Sequence, residues 1–136
     1  MNDKPRGVLT ASLGLLLASA PLLAHHSFAA EFDANQKVAL KGTVTKVEWT
    51  NPHAWFYIDV KDDSGAVAHW QCEVGPPNEL SRRGWRKDSL KPGDQVTVNG
   101  FRAKDGTNTA NAREVLLPDG KKVFSGSADG GPGTPQ

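Results

Sequence analysis

Between Ala54 and Val74 the chain reads "AWFYIDVKDDSGAVAHWQCEV", and apolar side chains recur at every second position on both sides of "KDDSG". A period of two marks a strand with one buried face, and the Asp-Ser-Gly cluster marks a hairpin turn. Ala54, Phe56, Ile58 and Val60 form one apolar set; Ala68, Trp70, Cys72 and Val74 form the other. Both sets must face one core, and a slip of one residue would expose a whole set, so the pattern dictates the register. A loop centred on Ser64 pairs Asp59 with His69, Tyr57 with Gln71 and Trp55 with Glu73, and leaves His53 beside Gly75.

The same period runs through "VALKGTVTKVEW", where Val38, Leu40, Gly42 and Val44 share a face before Val47 and Trp49 take over. That slip of phase predicts a bulge near Thr45–Lys46, and Gly42 lets the strand coil tightly. "GPPNELSRRGW" interrupts the β pattern, and Asn78 as N-cap, Glu79 in the first turn and Gly84 as stop predict one short helix over 78–83. A Pro92-Gly93 turn then leads into a strand with Val96 and Val98 inward. "AKDGTNTAN" reads as a polar loop, "AREVLL" as a strand and "PDGKKVF" as a closing hairpin. The order is three strands, a short helix, then two or three strands. It predicts an all-β domain over residues 38–124, a small OB-like five-stranded barrel with its helix between strands three and four. A small β-sandwich is the alternative.

Residues 1–24 do not read as part of that domain. Lys4 and Arg6 precede the apolar run "GVLTASLGLLLASAPLLA", which is too short and too rich in Ser and Ala for a comfortable membrane span. The charge order is that of a secretory signal peptide. Cleavage after Ala24 is the preferred reading. A cut after Ala20 would be followed by Pro21, a cut after Ala29 would discard His25 and His26, and an uncleaved anchor is a further alternative. Residues 25–37 are then an N-terminal arm, and the Gly/Pro/Ser-rich stretch 125–136 is expected to be a disordered tail. Export places the protein in the periplasm or outside the cell. With 16 basic and 15 acidic side chains the charge balance is close to neutral. It offers no phosphate-neutralising surface for nucleic acid and no basic surface for docking on a membrane once the leader is removed. The single Cys72 permits no internal disulfide, and its place in the apolar alternation predicts that it is buried.

The segments "AHHSFAAEFD", "KGTVTKVEWTNPHAW", "RRGW", "SLKPGD" and "AKDGTNTANA" together resemble a family of small exported bacterial proteins of unknown function. The likeness runs from about Ala24 to Phe124. The pairing of H-H-S-F with N-P-H-A is its most specific part. It implies an exported single-domain β protein and implies no established activity.

Two constellations can carry function. If the cut falls after Ala24, His25 offers a free α-amine beside its imidazole, and His26 and His53 offer further imidazoles. An all-nitrogen set of this kind suits Cu(II), and with an open position it also accepts Zn(II). Glu73 lies diagonally from His53 on the same face, as a ligand or as the group that orients the ring. His69, opposite Asp59, lies roughly 20 Å along the strand from His53, so it cannot share that metal and reads as the partner of Asp59. The second constellation is Trp55 and Tyr57. They alternate with the core set and are expected on the outer face, where OB-like barrels take ligands. The bland reading of that face is that Phe28 and Phe32 of the arm fold over it. The basic cluster "RRGWRK" reads as a solvated helix end. Cys72 reads as buried and no serine stands in a Gly-x-Ser-x-Gly turn, so a nucleophilic enzyme is poorly supported, and a copper oxidase of small organics is the weakest alternative. The expected function is a small exported binding module for a transition metal, copper, at His25, His26, His53 and Glu73. The alternative is a metal-free ligand or protein-interaction module built on Trp55 and Tyr57.

Overall fold

The computed structural model describes residues 27–125. A four-residue helix, α1 (Phe28–Glu31), leads directly into the long strand β1 (Phe32–Glu48). The hairpin β2 (Ala54–Lys61) and β3 (Val67–Gly75) follows. Helix α2 (Pro77–Arg82) then leads to β4 (Gln95–Ala103), β5 (Thr109–Leu116) and the short β6 (Lys122–Ser125). The sheet runs β3-β2-β1-β4-β5-β6, and a parallel pairing of β3 with β5 bonds its first five strands into a ring. The fold is all-β and OB-like, with α2 between β3 and β4. A sixth strand hangs from β5 as the expected closing hairpin.

The hairpin has the register that its two apolar sets demand: Asp59 faces His69, Tyr57 faces Gln71 and Trp55 faces Glu73. It departs at the far end, where a shift between Ala54 and Trp55 sets Ala54, not His53, opposite Gly75. The bulge in β1 falls between Val44 and Lys46, where the apolar phase slips. β1 begins at Phe32, ahead of the alternation that starts at Val38, because its N-terminal half pairs with β4 while its C-terminal half pairs with β2. One strand thus serves two neighbours, and the change of partner comes at Thr43, next to Gly42. A Cβ on Gly42 would stand 2.6 Å from the Asp59 carbonyl oxygen, so only glycine fits without a shift.

The inward positions build one core, with Val44, Phe56, Ile58, Cys72, Val74, Val98 and Val115 almost wholly removed from water. Leu80 of α2 and Trp85 after it close one side. The helix starts two residues earlier than Asn78 as a cap would have it. Pro76 is the N-cap and Pro77 stands at the first helical position, where a missing N–H costs nothing. Gly84, at φ +88°, ends it as expected.

Candidate functional site

His53 stands between the Asn51–Pro52 turn and the first residue of β2. Its Nδ1 contacts Oε1 of Glu73, which β3 carries on the face opposite Cys72. With Glu73 ionised its carboxylate can only accept, and in that state Nδ1 is the donor and Nε2 is left for another partner. The two side chains are nearly enclosed, at 18% and 6% exposure, so the contact is shielded from the solvent that weakens surface pairs.

Asn111 of β5 lies behind Glu73 as its partner in the parallel β3–β5 pairing. Its Nδ2 is 3.5 Å from Glu73 Oε2, and the residue is fully buried. Among the described residues, Asn111 Oδ1 has no hydrogen-bond partner. Sequence reasoning missed Asn111 because "AKDGTNTAN" looks like loop. β5 in fact starts at Thr109, drawn into the sheet by β3. The available signal was the alternation Ala110, Asn111, Ala112, which sends the amide out of the core.

The other expected residues are placed differently. His25 and His26 lie outside the described residues. Trp55 is half-buried and sits between Glu48 of β1 and Glu73 of β3 in the ladder. Tyr57 turns toward β1, where its hydroxyl donates to Glu48 Oε2 at 2.9 Å and the Lys46 ammonium stands 5.4 Å from its ring centroid. That bond holds the Tyr57 hydroxyl proton and raises its pKa, while Lys46 and the same hydroxyl hold the Glu48 carboxyl below its ordinary range. His69 pairs with Asp59 at 2.6 Å on the open surface, its side chain 82% exposed, as the register requires.

Phe28 and Phe32 do not cover Trp55 and Tyr57. They stack on each other at 5.8 Å, and Phe28 meets Phe101 of β4 edge-on at 5.5 Å. With Ala103 they form a second apolar cluster apart from the main core. The Arg113 guanidinium lies 4.8 Å from the Phe28 ring and 5.6 Å from the Phe101 ring. The reason is pairing: β1 runs alongside β4 in this region, so its N-terminal end meets β4 side chains and not those of β2.

Among the described residues, no three His, Cys, Asp or Glu side chains gather as a metal-binding group. His53 and Glu73 do not by themselves form such a group. The model of DUF6152, a family of unknown function, matches residues 13–112. The chain belongs to that family. The matched span takes in His25, His26, His53, Glu73 and Asn111. No curated protein matches the chain. The DUF6152 domain thus presents a histidine braced by a buried carboxylate, with a buried amide behind it.

Proposed function

We propose that the protein is an exported binding module, periplasmic or secreted, that holds a transition metal, copper, at His53. His25 supplies amine and imidazole and His26 a further imidazole, while Glu73 holds the His53 ring. The reading is carried by the contact of His53 Nδ1 with the buried Glu73 carboxylate. A metal-binding histidine characteristically gives its other ring N–H to a carboxylate, which fixes the ring and raises the basicity of the ligating nitrogen. Nitrogen donors with few oxygens favour Cu(II) over the harder divalent ions. The test is titration of the exported protein with Cu(II), read by EPR, after its intact mass has located its first residue. His53→Ala and the double substitution of His25 and His26 by Ala should each change the spectrum. Glu73→Gln should weaken binding by about 10–100-fold. A spectrum that all three variants leave unchanged ends this reading.

A second reading has one observation of its own. Tyr57, Trp70, Gln71, Asn108 and Thr109 line an outer groove of about 440 Å³. A metal-free module would take its ligand there and on Trp55. Binding would then survive EDTA and be lost in Tyr57→Ala and Trp55→Ala.

A further inference from the structure

Where β1 leaves β2 for β4, the outer face of the sheet forms a cavity of about 690 Å³. Small-molecule sites fall in a range of about 300–1,000 Å³. The floor of this one comes from alternate residues of four strands. Thr43 pairs with Asp59 of β2 and with Gln95 of β4, while Lys41 pairs with Thr97, which in turn pairs with Leu116 of β5. Leu40, Val44, Ile58, Val96, Val98 and Val115 are buried, so the residues that alternate with them point outward. Leu117, Pro118 and Gly120 of the β5–β6 turn form a wall.

Charge gathers at one end of the cavity. The β1–β2 ladder stops at Thr43 and Asp59, and the same register continued by two positions sets Lys41 opposite Lys61. The strands are still close there, since a Cβ on Gly42 would stand 3.2 Å from Cγ2 of Val60. Like charges in facing positions repel. Of the described lining residues Asp59 alone is acidic, and its Oδ1 is already 2.6 Å from Nδ1 of His69. Two ammoniums thus meet one engaged carboxylate, and an anion between them turns repulsion into attraction. The other end is apolar: Leu116 and Leu117 are half-buried and Pro118 is exposed. Lys41 and Leu116 are two strand spacings apart, roughly 10 Å.

We propose that this cavity binds a small amphiphilic acid, with its carboxylate between Lys41 and Lys61 and an apolar body of about 10 Å lying over Thr97 toward Leu116 and Leu117. Both ends are needed. Exposed lysines hold a lone carboxylate weakly, and two leucines offer little apolar surface to offset the freedom that an uncharged chain loses on binding. The cavity shares Asp59 with the groove of Tyr57 and Trp70, and it includes neither His53 nor Glu73. It therefore stands or falls apart from copper binding.

The test titrates the exported protein in EDTA with sodium decanoate, kept below its micelle concentration, and follows the backbone amides by NMR. Decanoate should bind saturably, with the largest shifts at residues 41–43, 59–61, 95–97 and 116–120. Acetate keeps the charge without the tail, and decanol keeps the tail without the charge. Both should bind more weakly, acetate by about 10-fold or more, since burial of roughly two methylenes already supplies that difference. Lys41→Gln and Lys61→Gln alter exposed side chains, so the fold should be retained. Each should weaken decanoate binding by about 2–5-fold, as loss of an exposed ion pair does, and the double substitution should weaken it further. Lys37→Gln, at an exposed lysine of β1 outside the cavity, should leave it unchanged. Decanol or acetate binding as tightly as decanoate overturns the proposal. Shifts centred on Tyr57 and Trp70, an affinity that survives the double substitution, or the lack of any saturable shift overturns it equally.

Discussion

Cys72 and Glu73 are consecutive, and the two-residue period of a strand sends them to opposite faces with opposite chemistry. The Cys72 side chain enters the core, where burial pushes the thiol up to about 12. It is therefore neither a nucleophile nor a metal ligand at neutral pH. Native protein should not react with a thiol reagent such as DTNB, and urea-unfolded protein should react once per chain. Labelling of native protein at the unfolded rate would contradict this burial. The sign of the pH effect follows. Between the ordinary value of 9.0 and about 12, the unfolded thiol gives up its proton while the folded one keeps it. Stability from this group is complete below the lower value and is lost as pH rises through the upper one. Urea midpoints should therefore fall across that alkaline window in wild type, and fall less in Cys72→Ala. At the same scale, the closeness of His53 to Glu73 was legible from alternation alone, and so was the separation of His69. The burial of Asn111 was not, because its alternation with Ala110 and Ala112 gives a face but not the strand that covers it.

At the scale of elements, the strand that binds the sheet together is β1, and it does so by pairing with β4 along its first half and with β2 along its second. Two glycines allow neighbouring backbones to come too close for any side chain. A Cβ on Gly42 would stand 2.6 Å from the Asp59 carbonyl oxygen, and one on Gly100 only 2.1 Å from that of Asn111. Both obstacles are backbone, which cannot rotate aside. Gly42→Ala and Gly100→Ala should each destabilise the protein by about 1–3 kcal/mol in urea unfolding, with Gly100→Ala the worse. Equal stability to wild type would mean that the sheet relaxes more readily than its pairing implies. Gly42 could be singled out in the sequence because it sits inside an alternating run. Gly100 could not, since its role depends on the β4–β5 register shift between Asn99 and Gly100. The bulge of β1 was legible for the opposite reason, because a local slip in apolar phase records it.

For the whole molecule, the decisive contact is the parallel seam between β3 and β5, which pairs Gln71 with Thr109, Cys72 with Ala110 and Glu73 with Asn111. It turns an open sheet into a ring, and its central pair, Cys72 and Ala110, is fully buried. β6 has four residues and pairs on one side only. Native-state hydrogen exchange should therefore place the amides of the β3–β5 seam among the slowest of the chain and those of β6 among the fastest strand amides. Seam amides that exchange as fast as those of β6 would show that the ring opens without global unfolding. The sequence by itself determined the order of the strands, the hairpin register from Trp55 onward, the helix between β3 and β4, and the face of β3 that carries Glu73. Each of these follows from a period of two read over a few residues, where only one phase buries the apolar set. Only the tertiary structure decided that Asn111, 38 positions from Glu73, stands directly behind it, and that Phe28 clasps Phe101 instead of covering Tyr57. Those placements depend on which strands become neighbours when the ring closes, and strand adjacency at such separation leaves no mark in local periodicity.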